Sequence, residues 1–310
     1  LLRDMPGNPR AGLVAHPSAS LVSSNMATSK PPWLKKKIDF ASLRAMAAVA
    51  HDLRLHTICE SAMCPNQSEC YGRGTATFLI MGDTCTRNCR FCNVAHGQPD
   101  PIDIEEPSRV AQAVKQLGLR YAVITSVTRD DLEDGGSEHF ARTIHTIRAL
   151  NPGVKTEILV PDFVHAIGRV VEAAPEVINH NMETVPRLYD RVRPGADYKR
   201  SLYLLEKVKT AGGDIRTKSG LMLGLGEDRE EVLAVMSDLR RVGCDMLTLG
   251  QYLAPSKEHL PVQSYIHPES FRAYKITAEE MGFSFVASGP FVRSSYLAEA
   301  WLEHQGSSES

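Results

Sequence analysis

Three cysteines, Cys85, Cys89 and Cys92, stand at C-x3-C-x2-C spacing in Gly82-Asp-Thr-Cys-Thr-Arg-Asn-Cys-Arg-Phe-Cys-Asn-Val-Ala-His96, straight after the apolar run 77–81. Thiolates this close can wrap one iron–sulfur cluster, placing three sulfurs on three corners of a cubane. Three is the informative number, because a four-iron cluster on three cysteines keeps one iron open to a ligand from outside the protein. A structural zinc site normally takes a fourth Cys or His. His96 follows shortly after Cys92 and offers one, so zinc is the alternative for this stretch taken alone.

A second set, Cys59, Cys64 and Cys70, sits in Cys59-Glu-Ser-Ala-Met-Cys-Pro-Asn-Gln-Ser-Glu-Cys70 at C-x4-C-x5-C spacing. Two sets, each a thiolate short of four, can form two clusters, each completed by something other than cysteine. A two-cluster electron carrier would use four cysteines per cluster in a much smaller chain. The seventh cysteine, Cys244, opens an apolar run and reads as a core residue, since free cysteine is among the most buried residue types.

The elements that must position these residues repeat from residue 75. Apolar, strand-like runs appear at 75–81, 120–125, 154–160, 175–180, 215–223 and 246–252, with helical patterns between them. In 137–150, Ser137 reads as the N-cap, and Phe140, Ile144 and Ile147 share a face. In 228–242, Val232, Val235, Met236, Leu239 and Val242 make one apolar stripe. Upstream, 39–55 reads as a helix capped by Asp39, with Leu43, Met46, Ala47, Ala50 and Leu53 on its apolar face. Downstream come a helix over 268–282 and an apolar run, Phe283 to Ala287. Alternation of this kind implies parallel strands with crossover helices. Six units predict an α/β fold: an open, partial (β/α)6 TIM-type barrel with N-terminal and C-terminal extensions. Such barrels carry function at the carboxyl ends of their strands, where the 82–93 loop falls. The expected divisions are a disordered leader (1–29), an N-terminal extension with the second cysteine set (30–74), the barrel (75–255) and a C-terminal extension (256–310).

The 310 residues, 43% apolar with 22 Gly and 18 Pro, suffice for a sizeable core. A formal net charge of −2 gives no global basic field for nucleic acid. No apolar run approaches the ~20 residues of a membrane span. Clustered cysteines in a long chain indicate metal binding in a reducing compartment, not a disulfide framework. The leader holds Arg3, Arg10 and serines 18, 20, 23, 24 and 29. It reads as a disordered leader on a cytoplasmic protein. The alternatives are a mitochondrial or plastid transit peptide, or a true start at Met26. Lys30-Pro-Pro-Trp-Leu-Lys-Lys-Lys37 is an extended basic arm, either solvated or docked on an acidic partner through Lys35, Lys36 and Lys37.

The motif C-x3-C-x-Φ-C, with Phe91 as the aromatic, resembles the signature of radical S-adenosylmethionine enzymes. The second set with its Cys64-Pro-Asn and Glu69-Cys70, the run Thr84 to Cys92, and the closing Arg293-Ser-Ser-Tyr296 together resemble lipoyl synthases. The similarity runs from about Lys30 to Ala298, with no departure at a ligand position. It implies that Cys85, Cys89 and Cys92 hold a [4Fe-4S] cluster whose open iron binds S-adenosylmethionine, which yields a 5′-deoxyadenosyl radical on reduction. It implies a second [4Fe-4S] cluster on Cys59, Cys64 and Cys70 that donates its sulfur. The resemblance implies a serine of R-S-S-Y as its fourth ligand, assigned to Ser295 with Ser294 as the alternative. A hard oxygen on a soft iron–sulfide site can let go. The implied reaction inserts sulfur at C6 and C8 of an octanoyl chain on a lysine of a lipoyl carrier protein, such as a glycine cleavage H protein or an E2 subunit. Further implied partners are an electron donor such as ferredoxin or flavodoxin, and a cluster-repair protein; nucleic acid and membrane are not expected. The runners-up are a biotin synthase-like or methylthio-transferring radical enzyme and a zinc-stabilised binding module.

Candidate cofactor contacts sit at strand ends. Thr125 and the acid-rich stretch to Gly136, Asp131 included, offer acceptors for ribose or for the cofactor's cationic part; a solvated loop is the even alternative. Gly224 and Glu227 in Leu221-Met-Leu-Gly-Leu-Gly-Glu227 resemble the strand end on which radical enzymes lay adenine. Asn179, His180 and Asn181 end the fourth strand as possible contacts, with a satisfied core histidine the commoner outcome. Residues 251–257 are expected at the acyl-chain entrance. On this reading Cys89→Ala abolishes S-adenosylmethionine cleavage under reducing conditions; cleavage at the unsubstituted rate, measured as 5′-deoxyadenosine, contradicts it.

Overall fold

The computed structural model describes residues 30–36, 39–162, 166–211 and 213–305; Lys37, the leader 1–29 and residues 306–310 lie outside them. Seven parallel strands form one sheet in sequential order: β1 (Thr75–Ile80), β2 (Tyr121–Ser126), β3 (Lys155–Leu159), β4 (Val177–Asn179), β5 (Arg216–Leu223), β6 (Met246–Gln251) and β7 (Phe285–Gly289). A two-residue strand, His56–Thr57, adds antiparallel to β1 at the other edge. Among the described residues the two edges are not paired, so the barrel is open as expected. Every residue of β1 and of β6 is buried, because helices cover the outer face of a parallel sheet and side chains fill the inner one. The seventh strand goes beyond the six units expected. Phe285 pairs with Met246 and Gly289 with Gly250, and the helix Pro268–Glu280 supplies the crossover.

The helices follow the expected apolar faces, with two differences. The helix Ser137–Leu150 is capped not by Ser137 but by Asp134, whose carboxylate accepts from the amides of Gly136 (3.0 Å) and Glu138 (2.9 Å) and from the Ser137 hydroxyl (3.2 Å). Gly136 makes the turn at φ 90°, and a Cβ there would strike the Met81 sulfur. In Phe40–Asp52, Met46 and Ala50 are buried, but Ala47 is exposed. Arg229–Arg241 carries a capping box: Asp228 accepts from the Glu231 amide, and Glu231 accepts from the Asp228 amide.

Inside the barrel lies a buried polar layer. Lys218 donates to both Glu157 oxygens (2.9 and 3.2 Å), and Tyr121 and Asn179 donate to the same carboxylate at 3.0 and 3.2 Å. Below it, Trp301 packs with Tyr121, Val177 and Met246 at the amino ends of their strands and donates its indole N–H to the Tyr121 oxygen at 3.0 Å. Glu299 accepts from the Thr75 hydroxyl at 3.0 Å. The C-terminal tail therefore seals the end of the barrel remote from the cysteines. Trp301→Ala removes a buried aromatic and the indole N–H that bonds the Tyr121 oxygen, and it should cost about 3–5 kcal/mol in urea denaturation; a loss under about 1 kcal/mol would show that the tail is not part of the core.

Candidate functional site

At the carboxyl ends of the strands opens a cavity of about 550 Å³, lined by Cys85, Cys89 and Cys92, by Cys59 and Cys64 of the second set, and by Ser294 and Ser295. Cys70 stands behind it, buried. The first cysteine loop is fixed by its backbone. Thr84–Cys85 pairs with Ala95–His96, the Thr86 amide donates to Thr128 (3.0 Å), and the Arg90 amide donates to Val192 (2.9 Å). The Cys85 sulfur accepts amide N–H bonds from Arg87 (3.4 Å) and Thr128 (3.3 Å), the kind of contact that tunes a metal-bound thiolate. Burial pushes the thiol of Cys89 up to about 11 and that of Cys92 to about 12. In the second set burial, reinforced by the neighbouring cysteines, raises Cys59 to about 11 and Cys70 to about 12. Metal must displace protons from both sets, so loading is favoured by rising pH.

Among the described residues no three His, Cys, Asp or Glu side chains converge tightly enough to hold a single metal ion. His96 is exposed and is not among the residues that line the cavity. Cys244 is buried in the core as expected.

One carboxylate organises the polar side of the cavity. Asp162 lies 2.5 Å from Arg87 Nη1, 3.1 Å from His180 Nε2 and 3.4 Å from Arg193 Nη2. Burial alone would raise its pKa, but His180, Arg193 and Arg87 outweigh that and hold it far below the usual carboxylate range. The second imidazole nitrogen of His180 donates to the Val160 carbonyl at 2.9 Å. Arg87 also grips Asp130 through two 2.8 Å bonds, so the cysteine loop is locked onto the strand ends. Glu183 faces the same cavity with its pKa raised by burial, against the pull of Arg193, Asn181 and His180. Its φ of 65° is a costly conformation for a residue with a Cβ, held by ladder bonds to Gly220 and Met222. Asn181 donates to Glu183 at 2.9 Å and to the Ser294 hydroxyl at 2.8 Å.

Of the sequence-predicted cofactor contacts, Phe91, Thr125 and His180 line the cavity. Four do not. Asp131 is taken up by Arg129, which grips it with bonds of 2.7 to 3.2 Å. Asn179 points into the Glu157–Lys218 layer, deeper than the mouth. Glu227 binds its own turn, accepting from Gly224 at 2.5 Å and Leu225 at 2.9 Å. Gly224 is covered by downstream chain, and a Cβ there would meet the Ser264 carbonyl. Gln251 to Pro255 reach the cavity wall, whereas Ser256 and Lys257 do not. Sequence reasoning missed Glu183, Asp162, Arg87 and Arg193. Glu183 had a signal: it shares the period-two parity of Asn179 and Asn181.

The described geometry, an open parallel barrel with a three-cysteine loop after its first strand, defines a radical S-adenosylmethionine enzyme. The Radical SAM superfamily model matches residues 79–239, more than half of the chain. The FeFe-hydrogenase maturase HydG from Carboxydothermus hydrogenoformans shares the fold (TM-score 0.52, 13% identity, 87% of this chain and 79% of that one). So does Streptococcus suis SuiB (TM-score 0.54, 12% identity, 84% of this chain), of which this chain spans only 57%. A lipoyl synthase from Caldanaerobacter subterraneus subsp. tengcongensis is 58% identical over 280 residues, covering 89% of this chain and 98% of that protein. The chain belongs to the lipoyl synthase family.

Membership implies a [4Fe-4S] cluster and S-adenosylmethionine, and the residues present fit them. The amide bonds to Cys85 and the Arg193 guanidinium beside Cys89 suit an anionic thiolate cluster. Asp162→Asn leaves Arg87 and Arg193 without their buried counter-charge and should cost about 3–5 kcal/mol in chemical denaturation. A variant as stable as the parent would show that the hub carries no weight.

Proposed function

We propose that the chain inserts two sulfur atoms at C6 and C8 of an octanoyl chain borne on a lysine of a lipoyl carrier protein. The observation that carries this reading is the single cavity reached by both cysteine sets and by the two serines of R-S-S-Y. Cys85, Cys89 and Cys92 would hold the first cluster; Cys59, Cys64, Cys70 and Ser295 would hold the second. Bound there, the first cluster with S-adenosylmethionine supplies a radical able to take hydrogen from an unactivated carbon, and the second supplies sulfur. Arg293 supports the second site: it is enclosed by protein beside Cys64, and its hydrogen bond goes to the Val292 carbonyl, not to a carboxylate. Such a cation suits a negatively charged cluster. The Ser294 hydroxyl is engaged by Asn181, which favours Ser295 as the ligand.

The protein's own work is placement and exclusion. The Glu183 carboxyl and the unpartnered Asn181 Oδ1 offer acceptors to the cofactor's polar groups, while Phe91, Leu253 and Val127 give the cavity apolar wall for an acyl chain. The N-terminal extension (30–74) delivers the second cysteine set, the barrel (75–255) the first, and the C-terminal extension (256–310) the serine. The partners on this reading are an octanoylated carrier, an H protein or E2 subunit, with a ferredoxin or flavodoxin as reductant and a cluster-repair protein. All seven cysteines are free of disulfides, which leaves both sets available as thiolate ligands. Among the described residues no helix is long and apolar enough to cross a membrane.

Anaerobic reconstitution should give two four-iron clusters per chain with matching sulfide. Incubation with S-adenosylmethionine, dithionite and an octanoyl-lysine peptide should yield dithiolated peptide by mass spectrometry. Ser295→Ala should keep S-adenosylmethionine cleavage while product falls by about tenfold or more. Lost cleavage with a normally loaded second site would overturn the serine assignment.

A further inference from the structure

The basic arm at 30–37 reads in sequence as a solvated or partner-facing run, yet Lys36 does neither. Its ammonium turns inward, donating to Asn66 Oδ1 at 2.5 Å and pairing with Glu69 Oε2 at 2.6 Å. It also lies over the rings of Phe291 (5.4 Å) and Tyr296 (5.1 Å). The groups around it bind one another in turn. Asn66 donates to the Phe291 carbonyl at 2.6 Å, and the Tyr296 hydroxyl donates to Glu69 Oε1 at 2.9 Å. Asn66 and Glu69 lie between Cys64 and Cys70, while Phe291 and Tyr296 bracket Arg293, Ser294 and Ser295. The Tyr296 amide closes that segment into a turn on the Arg293 carbonyl at 3.0 Å.

We propose that Lys36 is a positioning residue that clamps the R-S-S-Y turn onto the second cysteine set, so that Ser295 is held at its ligand position by the protein and not by its own bond to iron. The proposal rests on the two-cluster reading above. A serine oxygen is a weak partner for a soft iron–sulfide site, and a ligand meant to release cannot fix its own chain segment. The clamp meets that need one residue away: the Tyr296 ring is held by the ammonium and its hydroxyl by Glu69. A lysine suits the junction, because a compact ammonium can direct donors at Asn66 and Glu69 while its charge faces two rings. Half-buried and engaged by Asn66 and Glu69, the Lys36 ammonium is not free for a carrier protein, which leaves Lys35 as the exposed lysine of the pair.

The test uses anaerobically reconstituted full chain, Mössbauer spectra and the rate of iron release to a chelator. Lys36→Met should erase the distinct signature of the oxygen-ligated iron and release the second cluster's iron about tenfold faster, with the first cluster's iron retained. Lys36→Arg should restore part of both. Tyr296→Phe keeps the ring under the ammonium but loses the Glu69 bond, and it should accelerate release by about threefold. Eight irons per chain with no response to either Lys36→Met or Tyr296→Phe overturns the clamp alone. Only four irons in the unsubstituted protein overturns the two-cluster reading, and the clamp with it.

Discussion

The Asp162 carboxylate is the interaction on which the site depends. It sits without solvent contact between a guanidinium from the cysteine loop (Arg87), one from the stretch after the fourth strand (Arg193) and an imidazole at that strand's end (His180). A buried charge is tolerable only when its partners are fixed, and fixing them is what joins a mobile class of element, a metal-binding loop, to a rigid barrel rim. Arg87 is the joint: it stands between Cys85 and Cys89, so the loop cannot shift without uncovering a buried anion.

A second constraint acts on chain segments far apart in sequence. The second cysteine set precedes the barrel and R-S-S-Y follows it, yet both reach one cavity. Contacts at two levels hold them there. Lys36, Asn66 and Glu69 grip Phe291 and Tyr296 at the mouth, and Glu299 and Trp301 anchor the tail to the opposite end of the strands. The tail is thus fastened on both sides of Ser295, whose neighbour Ser294 accepts from Asn181.

Most of the fold was legible in the sequence because a parallel barrel repeats a local signal: a short, doubly buried apolar run, then an amphipathic helix. The run Phe283 to Ala287 carried that signal too, but a terminal strand is recognised only by the partner it pairs with, here β6. The cap of Ser137–Leu150 was misplaced because an Asp three residues upstream reaches over a left-handed glycine, a geometry that residue type alone does not encode. Lys36 carried the opposite lesson. Charge in an extended arm ordinarily means solvent, and only the rings and carboxylate brought in from elsewhere reverse it.

By itself the sequence determined the two cysteine sets, the missing fourth thiolate in each and the rim on which the first must lie, because ligand spacing and strand–helix period are properties of nearby residues. Tertiary structure alone decided depth and partnership. Asn179 and Asn181 share a face, yet one meets Glu157 inside the barrel and the other reaches Ser294 at the mouth. Asp131 is consumed by Arg129, while Asp162 and Glu183, unremarkable in sequence, face the cavity's charges. An ionisable side chain is defined by the charges and the burial around it, and those come from segments that only folding brings together.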